Sequence, residues 1–156
     1  MSPVAVRDVV VRSGDPRSPK GRALLGASHA LLASLYPPED NYFLSVDELA
    51  APHIDFWIVE SDGQPLGCVA LARLDGYGEI KSLFVDPAAR GLGVGSALMA
   101  ALEARARDAG LPLLRLETGD TLGEAHRLYA RLGYAPTGPF GDYAEGPHSV
   151  FMEKRL

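Results

Sequence analysis

The chain has 156 residues, 47% of them hydrophobic and 22% charged, which is ordinary globular usage and excludes a disordered tail, a collagen-like fibre and a disulfide scaffold. Fifteen Lys and Arg against twenty Asp and Glu leave a formal charge of −5, a balance that argues against broad binding to nucleic acid or to an anionic membrane. No apolar run approaches the ~18 residues a membrane span needs, and the lone cysteine, Cys68, makes neither an internal bridge nor a metal cluster.

The stretch Met1 to Arg7 lacks a basic region followed by an apolar segment, so a cytoplasmic protein with one domain over residues 1–156 is expected. Val4, Val6, Val9, Val10 and Val11 read as a first strand on their β-branched content. Ser18-Pro19 supplies an N-cap with proline at the first helical position, and Leu24, Leu25, Ser28, Leu31, Leu32 and Leu35 recur at helical spacing as a buried stripe. Pro37-Pro38 stops that helix, and Ser45 to Leu49 reads as one short helical turn. Phe56 to Glu60 and Leu66 to Leu74 flank Asp62-Gly63, a hairpin signal. The Gly-rich turn Asp75 to Gly78 then leads into Glu79 to Val85, the last of three antiparallel strands in series. Val94, Leu98, Met99, Leu102 and Ala106 line one face of the next helix, with Gly110 as its terminator. Leu111 to Thr118 reads as a strand. Thr121 to Glu124 has the form of a capping box for a helix carrying Ala125, Leu128, Tyr129 and Leu132, ended by Gly133. Ser149 to Met152 is the last strand. The order β-α-(α)-β-β-β-α-β-α-β defines the α/β (α+β) class: a mixed, mostly antiparallel sheet of six to seven strands flanked by helices.

The segment Arg90-Gly91-Leu92-Gly93-Val94-Gly95-Ser96 lies between a strand and an amphipathic helix. Three glycines in five positions let the backbone turn sharply and present several N–H groups in one direction. The partial positive charge of the helix N-terminus and the full charge of Arg90 make this a site for a phosphate or pyrophosphate. A P-loop is excluded because no Gly-Lys-Ser/Thr follows. A dinucleotide fold shares Gly91 and Gly93, and Glu117 stands where a ribose-binding acid would be. That fold is rejected because Ser96 occupies the third glycine position, Asp86 to Arg90 separate strand from glycine, and too little chain remains after Glu117.

Arg90-Gly91-Leu92-Gly93-Val94-Gly95 resembles the Arg/Gln-x-x-Gly-x-Gly/Ala signature of the GCN5-related N-acetyltransferases, the GNAT family. Glu79 to Pro87 is similar to that family's fourth strand, and Ala125-His126-Arg127-Leu128-Tyr129-Ala130-Arg131-Leu132-Gly133-Tyr134 to its A-x-x-L-Y-x-x-x-G-[FY] segment. The matches stand in the family's order over residues 78–135. One departure is Leu122, where the family often has an asparagine.

The resemblance implies acetyl-CoA as acetyl donor, no metal, and direct transfer to a primary amine of a small molecule or peptide. It implies Tyr129 as the acid that protonates the leaving thiol and Glu79 as a general base; Glu117 and Asp120, at the far end of the neighbouring strand, are rival carboxylates. It further implies Leu83, Phe84 and Val85 along the pantetheine arm, with a backbone N–H there facing the carbonyl oxygen, and Arg90 to Ser96 on the pyrophosphate. A homodimer is a family expectation. The alternative is a non-catalytic acetyl-CoA sensor. Cys68 reads as a core thiol, and His29, His53, His126 and His148 are too scattered for a metal site. Asp142 to Pro147 around Tyr143 is a polar turn that turn chemistry alone explains and that is a candidate border of the acceptor site, and Tyr36 to Asp40 lies where the family places acceptor-facing segments.

Overall fold

The computed structural model describes residues 9–156, so Val4 and Val6 of the expected first strand lie outside the described residues. Seven strands form one sheet in the order β1-β2-β3-β4-β5-β7-β6. These are β1 (Val9–Ser13), β2 (Ile54–Ser61), β3 (Gln64–Arg73), β4 (Gly78–Val85), β5 (Leu113–Gly119), β6 (Ala135–Thr137) and β7 (Ser149–Arg155). All neighbouring pairs run antiparallel except β4 with β5. Helices α1 (Pro19–Leu35) and α2 (Val46–Leu49) cover one face; α3 (Val94–Asp108) and α4 (Gly123–Arg131) cover the other. No helix among the described residues is long and apolar enough to cross a membrane.

Local chemistry sets most of these boundaries. Ser18 caps α1 by accepting from the Gly21 amide at 3.1 Å, with Pro19 just inside the helix. Ser45 and Glu48 form a reciprocal capping box on α2. Asp62 and Gly63 both take positive φ, 50° and 77°, as a tight hairpin turn between twisted strands requires. The larger core lies under α3 and α4, where Leu98, Met99, Leu102, Leu114 and Leu116 are essentially fully buried. Leu24, Leu25 and Leu49 pack with Phe56 and Cys68 on the opposite face.

Three expectations are corrected. The α1 stripe is buried only in its first half: Leu31 and Leu35 are 41% and 43% exposed. Thr121 does not cap α4, whose N-cap is Leu122 with no side-chain hydrogen bond. The short strand β6 was not foreseen; three residues with a central proline give almost no pattern, and such a segment is tolerated only at a sheet edge, where it sits.

Strand β4 is irregular in two ways. Cys68 of β3 pairs with Phe84, but Ala70 pairs with Lys81, so β4 carries one residue more than β3 across this stretch. Ser82, in this bulge, has φ +57°, a left-handed conformation costing a non-glycine residue about 1–2 kcal/mol. Beyond it β4 turns away from β5, and their pairing ends at Ile80 with Leu116. The sheet opens between the two strands.

Candidate active site

A cavity of about 990 Å³ occupies this opening and is lined from both faces of the sheet. Its walls include Leu83, Phe84 and Val85 of β4, freed from pairing with β5 by the bulge. Strand backbone without a neighbour is a ready surface for an extended ligand to pair with.

The glycine loop forms the end of the cavity on the α3 side. Gly91 and Gly93 have φ of +81° and +77°, and a Cβ placed on either would meet no protein atom within 4 Å. The space above the loop is therefore open to a ligand. Gly93 is the N-cap of α3 and offers no side-chain cap, so the amides of Val94, Gly95 and Ser96 are left without an intrahelical acceptor. Arg90, Gly91, Gly93, Val94, Gly95 and Ser96 all line the cavity. Leu92, also expected there, packs instead against the core beneath. Arg90 reaches across to α4, its Nε 3.0 Å from Glu124 Oε2, an exposed pair. Open amides, a helix N-terminus and a cation suit a diphosphate.

Tyr129 of α4 lines the cavity and is otherwise buried. Burial pushes its phenol well above the ordinary tyrosine range, so it stands protonated at neutral pH. Its hydroxyl forms no hydrogen bond among the described residues, which leaves it available as a donor.

The carboxylates divide into two roles. Glu79 is buried and does not line the cavity. Its Oε2 accepts from Tyr143 Oη at 2.5 Å and lies 3.3 Å from Lys81 Nζ. Lys81 also donates to Tyr143 Oη at 2.8 Å and to the Tyr42 carbonyl at 3.0 Å. The ammonium thus has two hydrogen-bond acceptors and a carboxylate to balance its charge, and a largely buried charge is tolerated only when matched in this way. Glu117, two residues past the position of β5 that pairs with Glu79, does line the cavity. It accepts from Ser149 Oγ at 2.8 Å, and burial raises its carboxyl above the usual range despite that bond and the nearby Lys81. Asp120, the third candidate, pairs with His148 at 3.4 Å and does not line the cavity.

Lys81 and Tyr42 escaped the sequence reading, which placed Tyr143 only in a turn bordering the acceptor. One available signal was spacing, since Lys81 follows Glu79 by two residues and shares its strand face. A further unforeseen contact closes the cavity near the end of α1. Tyr36 Oη meets Thr121 Oγ1 at 2.5 Å and accepts from the Thr121 amide at 3.0 Å. A side chain at Gly119 would overlap the Tyr36 ring, so the strand must carry glycine there. This contact takes the hydroxyl that the capping box needed. Cys68 is fully buried, its thiol pushed up to about 12 by desolvation. Among the described residues no group of His, Cys, Asp and Glu is placed to hold a metal.

The sheet thus splits between its two parallel strands, with the glycine loop at the mouth of the helix that follows β4. Residues 27–134 match the model of the Acetyltransferase (GNAT) family, and the chain belongs to that family. An IAA acetyltransferase of Azospirillum brasilense is 45% identical over 127 residues, 80% of this chain and 83% of that protein. The uncharacterized N-acetyltransferase YedL of Escherichia coli K12 is 34% identical over 149 residues, 94% of each chain. The crystal structure of an acyl-CoA N-acyltransferase homologue from Klebsiella pneumoniae superposes with a TM-score of 0.81 at 34% identity, covering 97% of this chain and 99% of that one. The family uses acetyl-CoA and transfers its acetyl group to an acceptor.

Proposed function

We propose that the protein is an N-acetyltransferase that passes acetyl from acetyl-CoA directly to a primary amine of a small molecule or peptide. The observation that carries this reading is that Glu117 and Tyr129 reach one cavity through the gap between β4 and β5, from opposite faces of the sheet. Leu114 and Leu116 of β5 pack under α3 and α4 with Tyr129, which leaves Glu117, odd in the alternation, on the α1 face.

Arg90 and the amides of Gly91 and of Gly93 to Ser96 hold the diphosphate, and the unpaired edge of Leu83 to Val85 holds the pantetheine arm and directs a backbone N–H at the carbonyl oxygen. Bound there, acetyl-CoA supplies an activated acetyl thioester. A lysine-like amine has a pKa of ~10.4 and attacks only when neutral, so Glu117 accepts the ammonium proton, for which its raised affinity suits it. Glu79 keeps Lys81 and Tyr143 in place instead of acting as the base. As the N–C bond forms and the C–S bond breaks, Tyr129 donates to the departing sulfur. Its strongly raised pKa keeps the proton on the phenol, so Tyr129 stabilises the forming thiolate by a hydrogen bond, and the sulfur takes the surplus proton that the nitrogen sheds as the amide forms. Holding amine and thioester together supplies much of the remaining rate enhancement.

The test is thiol release from acetyl-CoA across a panel of amino acids, polyamines, aminoglycosides, peptides and simple amines, with IAA, named for the Azospirillum relative, as one arm. Acceptor-dependent release with an N-acetyl product supports the reading. Tight CoA binding without release for any acceptor would favour the sensor. With acetyl-CoA as donor, the reaction belongs in the cytoplasm.

A further inference from the structure

The cavity is not uniform. The end under α3 and α4 carries the glycine loop, Arg90, Arg127 and Arg131, which serve an anionic cofactor. The end facing α1 has a different chemistry. Its wall is made by Leu31, Leu32 and Leu35, closed by Phe43. Leu31, Leu35 and Phe43 are 41%, 43% and 38% exposed, three of the four large hydrophobic side chains so exposed among the described residues, and all three line this one lobe. Solvent-facing apolar side chains gathered on one concave wall mark a binding surface.

The polar groups of the lobe have one sign. Glu117 and Asp40 are its carboxylates, and Glu117 Oε1 accepts no hydrogen bond among the described residues. Lys81 is the cation on this side, and its charge is already matched by Glu79 at 3.3 Å while its ammonium donates to Tyr143 Oη and the Tyr42 carbonyl. His29 adds no charge: its ring stacks on Phe43 with centroids 4.1 Å apart at 18°, and burial lowers its pKa, so it is neutral at pH 7. The Asn41 amide is oriented by three carbonyls, those of Leu32, Tyr36 and Pro37, which take its Nδ2 and leave Oδ1 without a partner. The lobe therefore offers acceptors and apolar surface, with no free cation among the described residues.

From this lining we infer that the acceptor is a primary amine on an apolar aliphatic or aromatic body, without a carboxylate or phosphonate beside the amine. The inference rests on the proposed reaction and narrows its substrate. The ammonium faces Glu117 and the body lies along Leu31, Leu35 and Phe43. An α-carboxylate or a phosphonate on the same carbon would enter next to Glu117 and find no partner of opposite charge.

The experiment compares matched pairs that differ by one anionic group: tryptamine with tryptophan, phenethylamine with phenylalanine, methylamine with aminomethylphosphonate. A series of n-alkylamines from two to eight carbons completes the panel. kcat/KM is expected to favour the member without the anionic group at least tenfold and to rise about fourfold per methylene until the lobe is filled. Leu35→Arg, at an exposed site that tolerates the change, is expected to lower kcat/KM for tryptamine at least tenfold. It should narrow the gap to tryptophan and leave the KM for acetyl-CoA unaltered. Equal or better use of the anionic members, or a flat alkyl series, overturns the inference while the acetyltransferase reading stands. If no amine of either set releases thiol from a protein that binds CoA, the inference falls, and the acetyltransferase reading falls with it only if polyamines, aminoglycosides and peptides are silent too.

Discussion

Replacing Glu117 by Gln removes the proton acceptor while keeping shape and the hydrogen bond from Ser149, which lies 2.8 Å from the carboxylate. A positioned general base contributes about 10²–10⁴ in rate, equivalent to about 3–5 kcal/mol of barrier, so kcat/KM for the amine should fall by that factor with little change in the KM for acetyl-CoA. The pH dependence carries the finer test. Glu117 must be ionised to act, and its carboxyl is raised from 4.5 chiefly by burial, against the opposing pull of Ser149 and Lys81, with Glu79 reinforcing the rise. The acid limb of wild-type kcat/KM should thus lie above the ordinary carboxylate range and vanish in the variant. Stability moves the other way. A carboxyl whose folded pKa is raised contributes stability that is fully present below its unfolded value and lost as pH rises through the folded value. At pH 7 the ionised Glu117 therefore weakens the fold, and Glu117→Gln should melt at the same temperature as wild type or higher, the difference closing as pH drops below 4.5. The assays are steady-state thiol release from pH 5 to 9 and thermal melts extended down to pH 4. Activity within twofold of wild type, or an unmoved acid limb, would refute the assignment.

Three further outcomes are expected. Tyr129→Phe should lower kcat about 10²-fold with an almost constant KM for acetyl-CoA, since only the donated hydrogen bond is lost; equal turnover would remove Tyr129 from the chemistry. Gly119→Ala should push Tyr36 off Thr121 and cost about 2 kcal/mol in denaturant unfolding, two hydrogen bonds at about 1 kcal/mol each, and an unchanged midpoint would contradict that packing. Cys68, raised from 9.0 to about 12 and fully buried, should react with iodoacetamide in the native state at least about 10³-fold more slowly than a free thiol; rapid labelling would show that β3 opens.

What the sequence disclosed was local in its physics. Ser18-Pro19, Asp62-Gly63 and the glycines at 91 and 93 act through neighbours a few residues away, and each adopts the geometry its residue type favours. The resemblance extended this to the order of the strands and the place of Tyr129. The features that stayed hidden depend on partners distant in the chain. Thr121 looks like a cap until Tyr36, 85 residues earlier, claims its hydroxyl. Glu79 and Glu117 are indistinguishable as strand carboxylates until Tyr143 and Lys81 close over one and the parting of β4 from β5 uncovers the other. That parting follows from the extra residue at Ser82, and a serine in a left-handed bulge leaves no periodic trace. Leu31 and Leu35 match the helical spacing of Leu24 and Ser28, yet the second half of α1 overhangs a cavity instead of a core.

The most direct measurement is calorimetric titration of CoA into the wild-type chain and into Gly93→Val. A β-branched side chain at φ +77° is strained and fills the space over the loop. Saturable binding to wild type with at least tenfold weaker binding to a folded Gly93→Val is the predicted result. No heat with wild type, or equal affinity in both proteins, would contradict the account.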